Sequence, residues 1–256
     1  MTHLPDSAVP TDLDALLAQA HDDPSVLGVL LSGSQAHDGM PTRHSDHDIH
    51  VVVRDEGPSA FADWDGYRSP RLDLAVFTLA EFTRRGLPGD EQPWMRYAHV
   101  HARVLFDRLD GGIAEILERK RALLPDEARA AVDGWLDAYV NQTYRSLKSF
   151  RDGRPDLGHL DAAESMPFFL EVVFALNRRV RPYNKYLSWE LANHPLETPG
   201  WTAERLLPLL RRLLADGDPG TQRELFAEVE LMARAAGHDA VLDSWGTDLE
   251  LLRPRD

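Results

Sequence analysis

Asp46 and Asp48 are separated by one residue and open an apolar run, Ile49-His50-Val51-Val52-Val53. Strand residues two apart point to the same face, with Cα atoms about 6.5 Å apart. The two carboxylates therefore project together, while Ile49, Val51 and Val53 turn to the opposite, core face. Carboxylates this close repel one another unless a cation lies between them. Hard oxygen ligands with no cysteine nearby favour Mg²⁺ over zinc. Asp73, flanked by Leu72 and Leu74, alternates in the same way on another expected strand. If the two strands pair, three carboxylates meet on one face, enough for two metal ions roughly 3.5–4 Å apart.

Gly33 and Ser34 stand upstream, between an apolar strand and an expected helix start. Unpaired amides and the helix dipole at such a place favour phosphate, and glycine allows close backbone approach. The Ser34 hydroxyl adds a donor. Anion donors on one side and metal ligands on the other fit attack by a substrate hydroxyl on an α-phosphate, with pyrophosphate leaving.

The elements that must position these groups read from pattern. Pro10-Thr11 caps a helix at about 11–21, with Leu13, Leu16 and Leu17 on one face. Val26–Leu31 is a buried strand, followed by a brief helix after Gly33-Ser34. Asp48–Val53 and Arg71–Phe77 are the second and third strands, and His101–Phe106 a fourth. Residues 80–86 and 91–99 are expected to be helical. Beyond residue 111 strand signals vanish. Helical periodicity takes over at about 112–123, 126–151, 158–180, 184–192, 203–215, 220–237 and 239–252. Pro125, Pro155, Pro182, Pro195, Pro199 and Pro219 punctuate these as boundaries. The fold class is therefore α+β. A small mixed sheet with helices on one face, residues 1–110, precedes an all-helical bundle, residues 111–256.

A length of 256 residues admits two ordinary domains, and 43% hydrophobic residues support a sizeable core. The absence of cysteine excludes disulfides, thiolate metal sites and cysteine nucleophiles. Apolar runs are far shorter than the roughly 20 residues that cross a bilayer. The opening Met1-Thr2-His3-Leu4-Pro5-Asp6 lacks a basic n-region and apolar h-region, so a cytoplasmic location is expected, with no membrane partner. The net charge is −14, from 28 basic and 42 acidic residues. Such a surface repels nucleic acid in the absence of a dense local basic groove, and it attracts a cationic small molecule.

The ordered set of Gly-Ser, about ten residues, Ser-Asp-x-Asp with an apolar strand, and a later lone strand Asp resembles the DNA polymerase beta nucleotidyltransferase superfamily. With the helical C-terminal half, the chain looks most like the aminoglycoside nucleotidyltransferases. The motif covers residues 33–53 and 71–77; the helical half matches in architecture alone. The resemblance implies a nucleotidyltransferase domain in which Asp46 and Asp48 bind two Mg²⁺ ions. Asp73 would complete the metal site or take the proton from the attacking hydroxyl. Gly33, Ser34 and Ser45 of the motif would contact the nucleotide. The co-substrate would be ATP, and the acceptor a hydroxyl on a small, cationic, antibiotic-like molecule. The resemblance is also compatible with a homodimer. Many members carry Arg-Gly shortly after Gly-Ser, where this chain has His37-Asp38-Gly39. Arg43 is the substitute phosphate contact left to consider.

Other residues leave alternatives open. His44, His47 and His50 crowd the motif and allow a zinc hydrolase built on Asp-x-Asp-x-His. Against that stands His50 as a residue behind the site, with His99 and His101 structural. Glu171, inside the apolar run Met166–Leu176, is either half of an ion pair on a stripe with Glu164 and Arg178, or a base or anchor for a cationic substrate. Lys185 either reaches the triphosphate, as helical-domain lysines do in the resembled family, or ends a solvated helix. A protein acceptor, as in AMPylating antitoxins, and a non-catalytic nucleotide-binding module are the competing functions.

Overall fold

The computed structural model describes residues 9–198 and 200–254. The opening segment read for a leader and the boundary expected at Pro199 lie outside them. The fold is α+β, a four-stranded mixed sheet followed by helices. The chain divides into two units, the first ending at Ala122 and the second beginning at Leu123.

In the first unit the strands are β1 (Val26–Leu31), β2 (His47–Val53), β3 (Leu72–Thr78) and β4 (Arg103–Asp107), in spatial order β3-β2-β1-β4. β1 runs antiparallel to β2 and β4, while β2 and β3 are parallel. Parallel neighbours need a long crossover. Here it is residues 54–71, whose single 3₁₀ turn, Phe61–Trp64, buries both aromatic rings. That turn had no expected counterpart, because two large apolar residues three apart set no period.

Both faces of the sheet are covered, where helices on one face were expected. Val26, Val29, Leu31, Ile49, Val51, Val53, Leu72 and Leu74 pack with Phe61, Trp64 and helix α1 (Leu13–Asp22). Asp12, rather than Thr11, caps α1 by accepting from the Ala15 amide at 3.0 Å. The other face packs Leu30, Val52 and Phe77 against Phe82 of α2 (Leu79–Arg84). The short helix α3 (Tyr97–Val100) follows, and then α4 (Gly112–Glu118), whose Ile113 and Leu117 fill this second core. Its contribution there explains why the first unit extends past the expected border at 110. Gly28 is required beneath α4, since a Cβ there would come within 2.7 Å of Ile113.

The second unit begins with α5 (Pro125–Arg151) and α6 (Pro155–Leu176), joined by a tight turn through Gly153 at φ +71°. Four further helices follow: α7 (Leu187–Asn193), α8 (Ala203–Asp216), α9 (Pro219–Ala235) and α10 (Asp239–Asp243). Pro125, Pro155 and Pro219 occupy first helical positions, where a missing N–H costs nothing. Leu136, Tyr139, Val140, Phe169, Val173 and Phe226 anchor the core, and Trp201 is buried against it. Trp135 instead stacks on Phe168 near the surface, with ring centroids 5.7 Å apart. Among the described residues no helix is long and apolar enough to cross a membrane.

Candidate active site

The parallel pairing sets Asp48 directly opposite Asp73 and His50 opposite Ala75. Residues in register on adjacent strands share a face, so both acids stand on the side that carries His50, Val52 and Phe77. Both are half-buried. Asp46 lies one residue before β2, also half-buried. Among the described residues, however, no group of three or more His, Asp or Glu is arranged to hold a metal ion. The expected three-carboxylate cage is not pre-assembled. One reason is visible at Asp73: a backbone bridge brings Arg68 alongside it, and the Arg68 Nε donates to Asp73 Oδ2 at 3.1 Å. Arg68 is largely exposed, so this contact is held weakly against solvent.

Gly33 and Asp48 are built as one object. Gly33 sits at φ +60°, and a Cβ there would lie 1.7 Å from Asp48 Oδ2 and 2.4 Å from Asp48 Cγ. The glycine is needed because the carboxylate fills the space of its missing side chain, beyond any approach of phosphate. The Ser32 amide donates to the Asp48 carbonyl at 2.8 Å, locking the turn to the strand that carries the acid.

The helix expected after Gly33 is a single 3₁₀ turn, Gly33–Ala36. So short a turn sums almost no macrodipole, and the helix-dipole contribution drops out of the site. Ser34 is buried, at 4% exposure. Ser45 half-buries in the loop before β2, its Oγ accepting from the Thr42 amide at 2.9 Å. Arg43 is exposed and donates to His44.

Residues that the sequence did not single out hold the turn from behind. Ser32 Oγ donates to the Ala98 carbonyl at 2.6 Å, and Arg103 donates to the Gln35 carbonyl at 2.6 Å. His37 Nδ1 lies 2.7 Å from the Gly33 carbonyl, and its Nε2 lies 3.3 Å from the Tyr97 hydroxyl. His37 registered in the sequence only as a departure from the family pattern.

His50 turns into the core, 5.5 Å edge-on from Phe77 and 5.0 Å from the ring of His99. Burial lowers its pKa to about 4. His99 is wholly buried, and burial, then His50 and Lys120, hold its pKa well below the imidazole range. Among the described residues, His50 Nδ1 and both His99 ring nitrogens have no hydrogen-bond partner. Deeper still, Lys120 Nζ donates to the Arg85 and Thr83 carbonyls at 2.6 and 3.3 Å, closing the end of α2, and burial lowers its pKa to about 8. His44 is exposed and His47 Nδ1 is 3.3 Å from the Arg71 carbonyl. The three histidines do not gather, which leaves the zinc alternative without a ligand set.

In the second unit Glu171 pairs with Arg181 at 3.3 Å. The partner is not Arg178 of the expected stripe, because α6 ends at Leu176 and Arg178 turns to φ +55°. Burial raises the Glu171 pKa, and Arg181 works against that rise. Lys185 is exposed in a 3₁₀ turn, its Nζ 5.0 Å over the Tyr186 ring.

No protein-family model matches the chain, and no curated protein matches it. Among solved structures it is similar to a nucleotidyltransferase-like protein from Exiguobacterium sibiricum 255-15. That likeness spans 93% of this chain and 76% of the other, at 13% identity and a TM-score of 0.45. A superposition this loose leaves the site to be judged on its own geometry.

Proposed function

We propose that this chain is a nucleotidyltransferase that moves a nucleoside monophosphate, AMP from ATP, to a hydroxyl of a small cationic molecule, with release of pyrophosphate. One observation carries the reading. Asp48 opposes Asp73 in register on one face, and its carboxylate lies against the Gly33-Ser34 turn. Acid groups and a turn bearing backbone donors thus occupy one place, as nucleotidyl transfer requires.

The donor set consists of hard carboxylate oxygens with no sulfur nearby, and it fits Mg²⁺. Asp46, Asp48 and Asp73 would hold the ion, which would offset triphosphate charge and lower the pKa of the attacking hydroxyl. Asp73 must exchange its Arg68 contact to take part, and it would then accept the proton. Main-chain amides at Gly33 and Ser34 would orient the phosphates, with Ser45 beside them. Glu171, as base or acceptor anchor, and Lys185, as a triphosphate contact, are the second unit's candidates. The excess of acidic residues supports a cationic acceptor; its antibiotic-like character follows from the family resemblance alone.

The test is a pyrophosphate-release screen of ATP and GTP with Mg²⁺ against aminoglycosides, lincosamides and other hydroxylated metabolites. Turnover with at least one acceptor is expected, and Asp48→Asn should lower it by at least about 100-fold with an unchanged melting curve. Silence across the panel and in lysate with labelled ATP, or full activity in the variant, would overturn the reading. Transfer of label to a protein would identify the acceptor as a side chain. Glu171→Gln should raise KM for the acceptor, and Lys185→Met KM for the nucleotide.

A further inference from the structure

We propose that His37 is a positioning residue that fixes the direction of the Ser34 amide at the nucleotide turn; this rests on the nucleotidyltransferase reading and deepens it. His37 is buried, at 4% exposure. Its backbone N–H donates to the Ser34 carbonyl at 3.2 Å, and its Nδ1 lies 2.7 Å from the Gly33 carbonyl. A carbonyl only accepts, so Nδ1 must carry the proton. Nε2 then accepts from the Tyr97 hydroxyl when the ring is neutral, and donates to it when the ring is protonated. The grip on Gly33 is the same in both states.

A trans peptide holds its C=O and N–H antiparallel in one plane. Tying the Gly33 carbonyl to His37 therefore aims the Ser34 N–H away from the ring. The device is needed here because glycine rotates more freely than any other residue. Gly33 sits at φ +60°, and the Asp48 carboxylate occupies the space a side chain would fill. The 3₁₀ turn already places a main-chain N–H on the Gly33 carbonyl, and a side-chain hold on the same oxygen fixes the 33–34 peptide further. His37 supplies that hold and is itself wedged by two rings. Tyr97 lies 5.9 Å away and His101 5.1 Å, centroid to centroid, and Tyr97 is 1% exposed. Where the resembled family carries an arginine near this turn, this chain carries a ring that grips the turn's own backbone.

Two substitutions separate this role from simple packing. His37→Asn keeps an N–H donor near the Nδ1 position, whereas His37→Leu keeps bulk and removes the donor. With the full chain, ATP and an acceptor found by the screen above, His37→Leu should raise KM for ATP about tenfold while kcat falls less than threefold. His37→Asn should stay within about threefold of the parent in both. Nitrogen-15 NMR of the parent should show a protonated His37 Nδ1 on both sides of neutral pH, a readout independent of turnover. An unprotonated Nδ1 at any of those pH values overturns the inference, as does an unchanged KM in a folded His37→Leu. If His37→Leu does not fold, His37→Asn and the spectrum still decide. Failure of the parent chain to release pyrophosphate would instead defeat the underlying reading, whatever the spectrum shows.

Discussion

The two faces of the sheet use the same four strands for opposite ends. Toward α1 every inward residue from Val26 to Leu74 is apolar. Toward α2 and α4 the strands carry Asp48, His50 and Asp73 beside Val52 and Phe77, and His99 and Lys120 are buried behind them. Register follows from the first face, because a one-residue slip would drive Ile49, Val51 and Leu74 into the polar side. With register set there, the second face can tolerate unpaired imidazoles and neighbouring carboxylates. Stability on one side thus leaves the other free for the proposed chemistry.

That contrast can be broken most forcefully at the apolar face. Ile49→Ala, at a position with no exposure, should cost about 2–5 kcal/mol in urea unfolding. A loss below 1 kcal/mol would show that the apolar face does not set the register. On the polar face the cost should depend on pH. His50 in the folded state has its pKa lowered to about 4 by burial, against about 6.5 unfolded. The unfolded chain therefore binds the proton first. Stability should be full above pH 6.5, fall as pH drops through the window to 4, and level off below it. The loss traceable to His50 should approach about 3 kcal/mol, with His99 adding in the same direction. Urea midpoints at pH 7.5 and 4.5 measure it, and His50→Phe should flatten the profile. A parent profile flat over that range would show these rings are not held neutral.

Gly33→Ala tests the seam between the turn and the acid. A left-handed φ and a Cβ directed into Asp48 should cost about 1–2 kcal/mol of stability and at least about tenfold in turnover, since the carboxylate must move. Activity retained alongside lost stability would detach Asp48 from the chemistry. The smallest effect is expected at Arg68, which is 79% exposed. Arg68→Ala should shift stability by no more than about 0.5 kcal/mol while tightening Mg²⁺ binding, measured by calorimetry. Weaker Mg²⁺ binding would mean that the arginine supports the site rather than competing for Asp73.

Much of this was legible in the residues. The alternation through Asp48–Val53 and Arg71–Phe77 placed the strands and the face each acid takes, because strand parity is local, while the parallel pairing that sets Asp48 opposite Asp73 came from the fold. Pro125, Pro155 and Pro219 marked helix starts through a backbone restriction that needs no tertiary context. The extent of the first unit was not legible, since the helical period of Gly112–Glu118 does not say which core receives Ile113 and Leu117. Nor was the partner of Glu171, which depends on where α6 stops and how the chain turns to bring back Arg181.

Alone, the sequence determined the order of strands and helices, the polar-apolar alternation and the residue types able to do chemistry, all consequences of near-neighbour geometry. Only the tertiary structure decided that Asp73 faces Arg68, that Gly33 makes room for the Asp48 carboxylate, and that His37 grips the turn. Those contacts join segments that periodicity leaves independent, and they form only once long-range pairing brings those segments together.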